Sequence, residues 1–111
     1  MSETIYVKDV CQYAMFDTDG IALRHRILQH WNTNKKIILD FEHIGLFATM
    51  FFNASIGWFV MQYGDQEVKE RISVINLSAL GLETYRHSFD NAVTVRQNSA
   101  LQDALSTYTE E

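Results

Sequence analysis

The stretch Lys35–Tyr63, KKIILDFEHIGLFATMFFNASIGWFVMQY, constrains the fold of this chain more than any other. Ile37, Ile38 and Leu39 form an apolar run that Phe41 continues, the pattern of a central strand covered on both faces. Asp40 and Glu42 stand at its carboxyl end, and Ile44–Ala48 reads as a turn. Thr49 is then a candidate cap for a very apolar helix over Thr49–Tyr63, which carries Phe51, Phe52, Ile56, Trp58, Phe59, Val60 and Met61. Gly64 follows directly, where a left-handed C-terminal residue belongs. The chain has no proline, so no sharp break is imposed on its helices. Open sheets with helices meet ligands and partners at the carboxyl ends of strands. The corner from Asp40 to Asn53 is therefore the first candidate site.

On either side of this unit the pattern alternates between strand and helix. Thr4–Lys8 is β-branched and aromatic and reads as a strand, while Cys11–Phe16 fits a second strand or a loop. Asp17, Thr18 and Asp19 are good caps for an amphipathic helix over Thr18–Trp31, with Asn32–Lys36 as its polar exit. Asp65–Arg71 is a charged turn or short helix, and Ile72–Leu77 another apolar strand. Ser78 can cap a last helix through Leu80, Leu82, Tyr85, Phe89 and Val93. Beyond Gln97 the chain turns polar, with Leu101, Leu105 and Tyr108 sufficient for one weak turn. Alternation of this kind predicts an α/β fold, a small mixed or parallel sheet of about four strands with helices packed on it. One domain over residues 1–97 and a polar C-terminal tail over 98–111 are expected.

Composition narrows the function classes. A hydrophobic fraction of 47% in 111 residues is enough for a core without staples. The single cysteine, Cys11, excludes an intramolecular disulfide and a thiol-rich metal site, and with no visible signal peptide it points to the cytoplasm. Asn53, Ser55 and Gly57 interrupt the apolar stretch short of the run of about 20 residues that a membrane span needs. A net charge of −5 disfavours direct nucleic-acid binding. His25, His30, His43 and His87 lack metal-ligand spacing, Ser55 and Ser88 lack a nucleophile elbow, and the five glycines form no phosphate loop. No basic residue lies closer in sequence to Cys11 than Lys8, so a reactive thiolate is not expected. The chain reads as a non-enzyme with no cofactor and no metal.

At ILDFEHIGLFATMFFNASIG the chain resembles the STAS-like bacterial domains of unknown function, relatives of the STAS modules of anti-sigma-factor antagonists. Leu39-Asp40-Phe41-Glu42, Phe52-Asn53 and Ser55-Ile56-Gly57 carry the resemblance. Gly20, Leu23, Arg24, Lys69-Glu70-Arg71-Ile72 and Asn76-Leu77 add to it. The resemblance implies a STAS-like fold and a small partner-binding module, often encoded beside an ATPase of the histidine-kinase-like fold. In the antagonists, a kinase of that fold phosphorylates a serine or threonine at the start of the helix after this strand. Thr49 matches that acceptor by position. The antagonists carry an acid just before it, where this chain has Ala48, and small residues after it, where this chain has Met50 and Phe51.

Each candidate also has a plainer role. Thr49 is a helix cap or a phosphosite, and the two are compatible. Asp40 and Glu42 alternate onto one strand face and, without a third acid or histidine, suit a partner-facing acidic spot better than catalysis. Asn53 either hydrogen-bonds a partner or braces the strand–helix turn. The aromatic excess of the second helix is expected to be covered by the flanking helices rather than left as a patch. The leading reading is a regulatory interaction module that docks Asp40, Glu42, Thr49 and Asn53 onto an ATPase or kinase. A phage- or plasmid-encoded inhibitor of a host defence complex is the alternative, a small-ligand pocket at the same corner a third, and a homodimer through the apolar helix fits any of them.

Overall fold

Lys36–Asp40, the apolar run of the opening stretch, is the middle strand of a three-stranded sheet with parallel pairs on both sides. The computed structural model describes residues 2–33 and 36–109, with side chains through Leu101. Its elements are β1 (Ser2–Tyr6), a 3-10 turn at Val7–Asp9, α1 (Asp17–Trp31), β2 (Lys36–Asp40), α2 (Thr49–Ala54), α3 (Ile56–Tyr63), α4 (Asp65–Arg71), β3 (Ile72–Ile75) and α5 (Ala79–Thr109). Asn34 and Lys35 of the expected polar exit lie outside the described residues, as do Met1 and the last two residues of the tail.

The order β1-β2-β3 follows the sequence, so both crossovers advance in the same direction. Right-handed crossovers then put every helix on one face of the sheet. Burial follows that division. The register row Ile5, Leu39 and Val74 and the pair Ile37 and Ile72 face the helices, and all but Val74 are fully buried. On the opposite face Ser2, Tyr6, Lys36, Ser73 and Ile75 are exposed, Thr4 and Ile38 half-buried, and Asp40, between Tyr6 and Ile75, is buried. The expectation that β2 is covered on both faces therefore fails for Ile38.

The sheet has three strands among the described residues rather than about four. Cys11–Phe16 contributes only Ala14, which meets Phe47 in an isolated parallel bridge. Ala14 N donates to Leu46 O at 3.2 Å and Ala48 N donates to Ala14 O at 2.9 Å. Gln12 and Tyr13 face solvent, so no second strand face forms there.

The expected single helix over Thr49–Tyr63 is broken at Ser55, whose backbone lies at φ −101°, ψ −91°. The buried Ser55 hydroxyl donates to Phe51 O at 2.9 Å, a back-bond that bends helices. Arg24 Nε on α1 donates at 2.9 Å to Ala54 O, taking up a carbonyl at the end of α2. Two polar side chains thus make the break that proline would otherwise supply. The aromatic excess of this region is covered: Phe51, Phe52 and Phe59 are fully buried, and Trp58 lies under the Arg24 guanidinium. Trp31 of α1 packs against Phe59 and Tyr63 with ring centroids 4.9 Å away in each case.

Gly64 closes α3 at φ +92°, a conformation that side chains resist. Asp65–Arg71 is a short helix, stapled at i,i+4 spacing by Arg71–Glu67 at 3.4 Å and Lys69–Asp65 at 3.9 Å. Ser78 caps the last helix as expected, its Oγ accepting from Gly81 N at 3.1 Å. That helix runs on to Thr109, well past Val93, so the polar segment after Gln97 is helical backbone rather than one weak turn.

Candidate functional site

Three connections leave the carboxyl edge of the parallel sheet, and the predicted site residues lie on the middle one. Asp40 ends β2 and is buried. Its Oδ1 accepts from Asn76 Nδ2 and from Glu42 N, both at 2.9 Å. The Asn76 amide first, and then the Glu42 N–H, hold this carboxyl below the usual carboxylate range. Asp40 is therefore charged at neutral pH and occupied inside the molecule, tying the end of β2 to the end of β3. The partner-facing role expected of its side chain does not fit this geometry.

Backbone conformation sharpens the corner. His43 at φ +69° and Asn76 at φ +61° are left-handed, a region in which Asn and His are among the commoner non-glycine residues. Glu42 is exposed beyond the end of β2, with Oε1 3.7 Å from His43 Nε2. Asp40 and Glu42 are thus joined by the Glu42 N–H rather than paired as two free carboxylates.

Thr49 is exposed and is the first residue inside α2, while the cap position belongs to Ala48, which has no side chain able to cap. The expected Thr49 cap is shifted by one residue. Ala48 is held in extended conformation by its own N–H bond to Ala14 O, which starts the helix without side-chain help. Asn53 lies one turn further on, exposed, and its Oδ1 accepts from the Ser88 hydroxyl. It braces α2 to α5 rather than the strand–helix turn. Glu42 and Thr49 thus remain available to a partner, Asp40 is committed internally, and Asn53 is shared with α5.

What sequence reasoning missed is the apolar rim of this edge. Tyr13 and Phe16 before α1, Leu46 and Met50 around the start of α2, and Leu80 at the start of α5 are all exposed. No periodicity marks them, because connections have none. Asn76 stood in the motif but only its fold partner, Asp40, explains it. Two shallow hollows lie along α5 instead, about 280 Å³ by Lys69, Tyr85 and Phe89, and about 180 Å³ by Asn53, Gly57 and Val95. Cys11 is buried, and burial first, then the Asp19 carboxylate, push its thiol up to about 11, so it stays protonated at neutral pH. Among the described residues no three His, Cys, Asp or Glu side chains gather as a metal-binding group. No described helix is long and apolar enough to cross a membrane.

Comparison with curated proteins and with solved structures returned no match. A family model for a STAS-like domain of unknown function (DUF4325) matches residues 19–82. The matched segment takes in nearly all of α1, then β2 through β3, and the first turn of α5. With more than half of its length matched, the chain belongs to this family of STAS-like domains.

Proposed function

We propose that this STAS-like domain is a non-enzymatic regulatory module that docks onto a protein partner through the carboxyl edge of its sheet. One observation supports the reading. Phe16 and Leu46 in two connections, and Met50 and Leu80 in the first turns of α2 and α5, are each more than half exposed, all at that same edge. Large apolar side chains gathered at one end of a small domain suit partner contact more than solvent. These connections and the first turn of α1 hold Asp9, Asp17, Asp19 and Glu42 against Lys8, and Asp40 lies buried beneath them at the end of β2. The docking surface is therefore apolar with an acidic setting, which favours a partner with a basic, apolar face.

Thr49 stands within this rim with its side chain exposed. Phosphorylation there would add close to two negative charges to an edge that is already acidic, and so weaken a basic partner's hold. The partner implied by the family resemblance is an ATPase of the histidine-kinase-like fold. Titration calorimetry with a purified ATPase of that fold tests the docking: Leu46→Asp and Met50→Asp are expected to abolish binding. Unchanged affinity in both variants would remove this surface from the interaction. Incubation with ATP and that ATPase, followed by mass spectrometry, tests the switch, and unmodified Thr49 with an active kinase eliminates it.

A further inference from the structure

The open face of the sheet is separate from the strand-end rim. Parallel sheets are almost always covered on both faces. Here the uncovered side presents Tyr6, Ile38 and Ile75 with Thr4 and Ser73, and Lys36 is its one exposed charged residue. Three strands of about five residues make a surface roughly 14 Å by 17 Å. That is the footprint of a single helix of three to four turns.

A helix segment of that length closes the chain, and its described side chains have left the body. α5 stays on the body as far as Arg96, whose Nε donates to Met61 O at 3.2 Å. Gln97–Leu101 are then all exposed, Leu101 by 58%. The segment 97–109 is about 20 Å long. The buried line of α5, Tyr85, Ser88 and Ala92, continues past the body as Ser99, Asp103 and Ser106. The opposite line, Asp90, Thr94 and Gln97, turns apolar as Leu101, Ala104 and Tyr108, with Leu105 beside it. The apolar stripe thus changes sides of the helix where the helix leaves the body. A segment of this length standing alone in water is marginal as a helix, and a stripe at i, i+3, i+4 and i+7 is the pattern of a helix that packs on something.

We propose that two copies of this chain form a two-fold dimer in which the segment 97–109 of each α5 lies across the open sheet face of the other copy. Topology permits it. α5 starts beside the carboxyl edge, where Gly81 meets Phe47, and runs along α2 and α3 to Arg96 on Met61, so that its last turns overhang the far end of the body. A two-fold axis in the plane of the sheet and across the strands brings the second copy's open face under this overhang, and its overhang onto the first copy's face. Each chain gives one helix and one face, so the contact is self-complementary and closes at two. Charge does not oppose this occupant, since Lys36 is exposed on the face while Asp40, in the row Tyr6, Asp40 and Ile75, is buried and hydrogen-bonded to Asn76.

Light scattering coupled to size exclusion tests this on the full chain. The expected mass is twice the 12.9 kDa of one chain. Leu105→Glu and Ile38→Glu should each give monomer with unchanged circular dichroism in the body, while Val95→Glu, on a different side of α5, stays dimeric. An equimolar mix of Ile38→Glu with Leu105→Lys should recover the dimer, because one seat then pairs opposite charges and the other is unaltered. Should Ile38→Glu fail to fold, Ser73→Lys, exposed in the same register row, takes its place. A monomeric wild type, a dimer that survives the face variants, or a charge-swapped mix that stays monomeric would each overturn the proposal.

Discussion

Two hydrogen bonds set the charge state of Asp40, and the stronger influence is the Asn76 amide. Asn76→Ala should bring the Asp40 carboxyl back toward the ordinary carboxylate value of about 3.9. Carboxyl-carbon NMR titration of both proteins reads this directly, and an identical midpoint in the two would show that the amide is irrelevant. Linkage gives the sign for stability. A folded-state value below the unfolded one means that the contribution of Asp40 is complete above roughly pH 4 and is lost as pH falls through the folded value. Chemical denaturation at neutral pH and near pH 3 should therefore show a large deficit for Asn76→Ala at neutral pH that shrinks in acid. The same residue shows where sequence reading stops. Its place at the strand end was legible from the apolar run before it, but its direction was not, because the residue that turns it inward lies 36 positions away.

At the scale of elements, α1 and α2 touch through Gly20. A Cβ there would stand 2.4 Å from Phe51 O and 2.7 Å from Ala54 Cβ. The first contact is backbone and cannot swing aside, so Gly20→Ala should cost about 1–3 kcal/mol despite the better helix propensity of alanine. Urea denaturation measures it, and a variant as stable as wild type would mean that the helices separate freely. Arg24 belongs to the same contact. Arg24→Leu removes the donor to Ala54 O and the cation over Trp58, and a loss of about 1–3 kcal/mol is expected from the orphaned carbonyl and the lost stacking. These two contacts also explain what was legible. α1, β2, β3 and the Ser78 cap follow from local spacing, and all four appear close to their expected bounds. The break at Ser55 is fixed by its own hydroxyl together with Arg24, which lies 30 residues before the Ala54 carbonyl it binds, and Cys11–Phe16 pairs only at Ala14 with the distant Phe47, so neither outcome could be read from local spacing alone.

For the whole molecule, coverage of the sheet is lopsided, and this sets a gradient of local stability. β2 has hydrogen-bonded neighbours on both sides and buried side chains along the helix face, so its amides open only with the whole domain. β1 and β3 are edges, and the described side chains of α5 past Arg96, Gln97–Leu101, are all exposed. In an isolated chain the amides of 97–109 would open with little cost, whereas seated on a second copy they gain the stability of the dimer. Hydrogen exchange followed by mass spectrometry at low and high protein concentration separates the two. Protection of β2 should stay constant across the dilution series, apart from the shift that dimerisation gives the whole domain. Protection of 97–109 should rise with concentration, and in Ile38→Glu it should stay low throughout. Concentration-independent protection of that segment would mean that its helix is held within a single chain, and the lopsided sheet would then need a different cover.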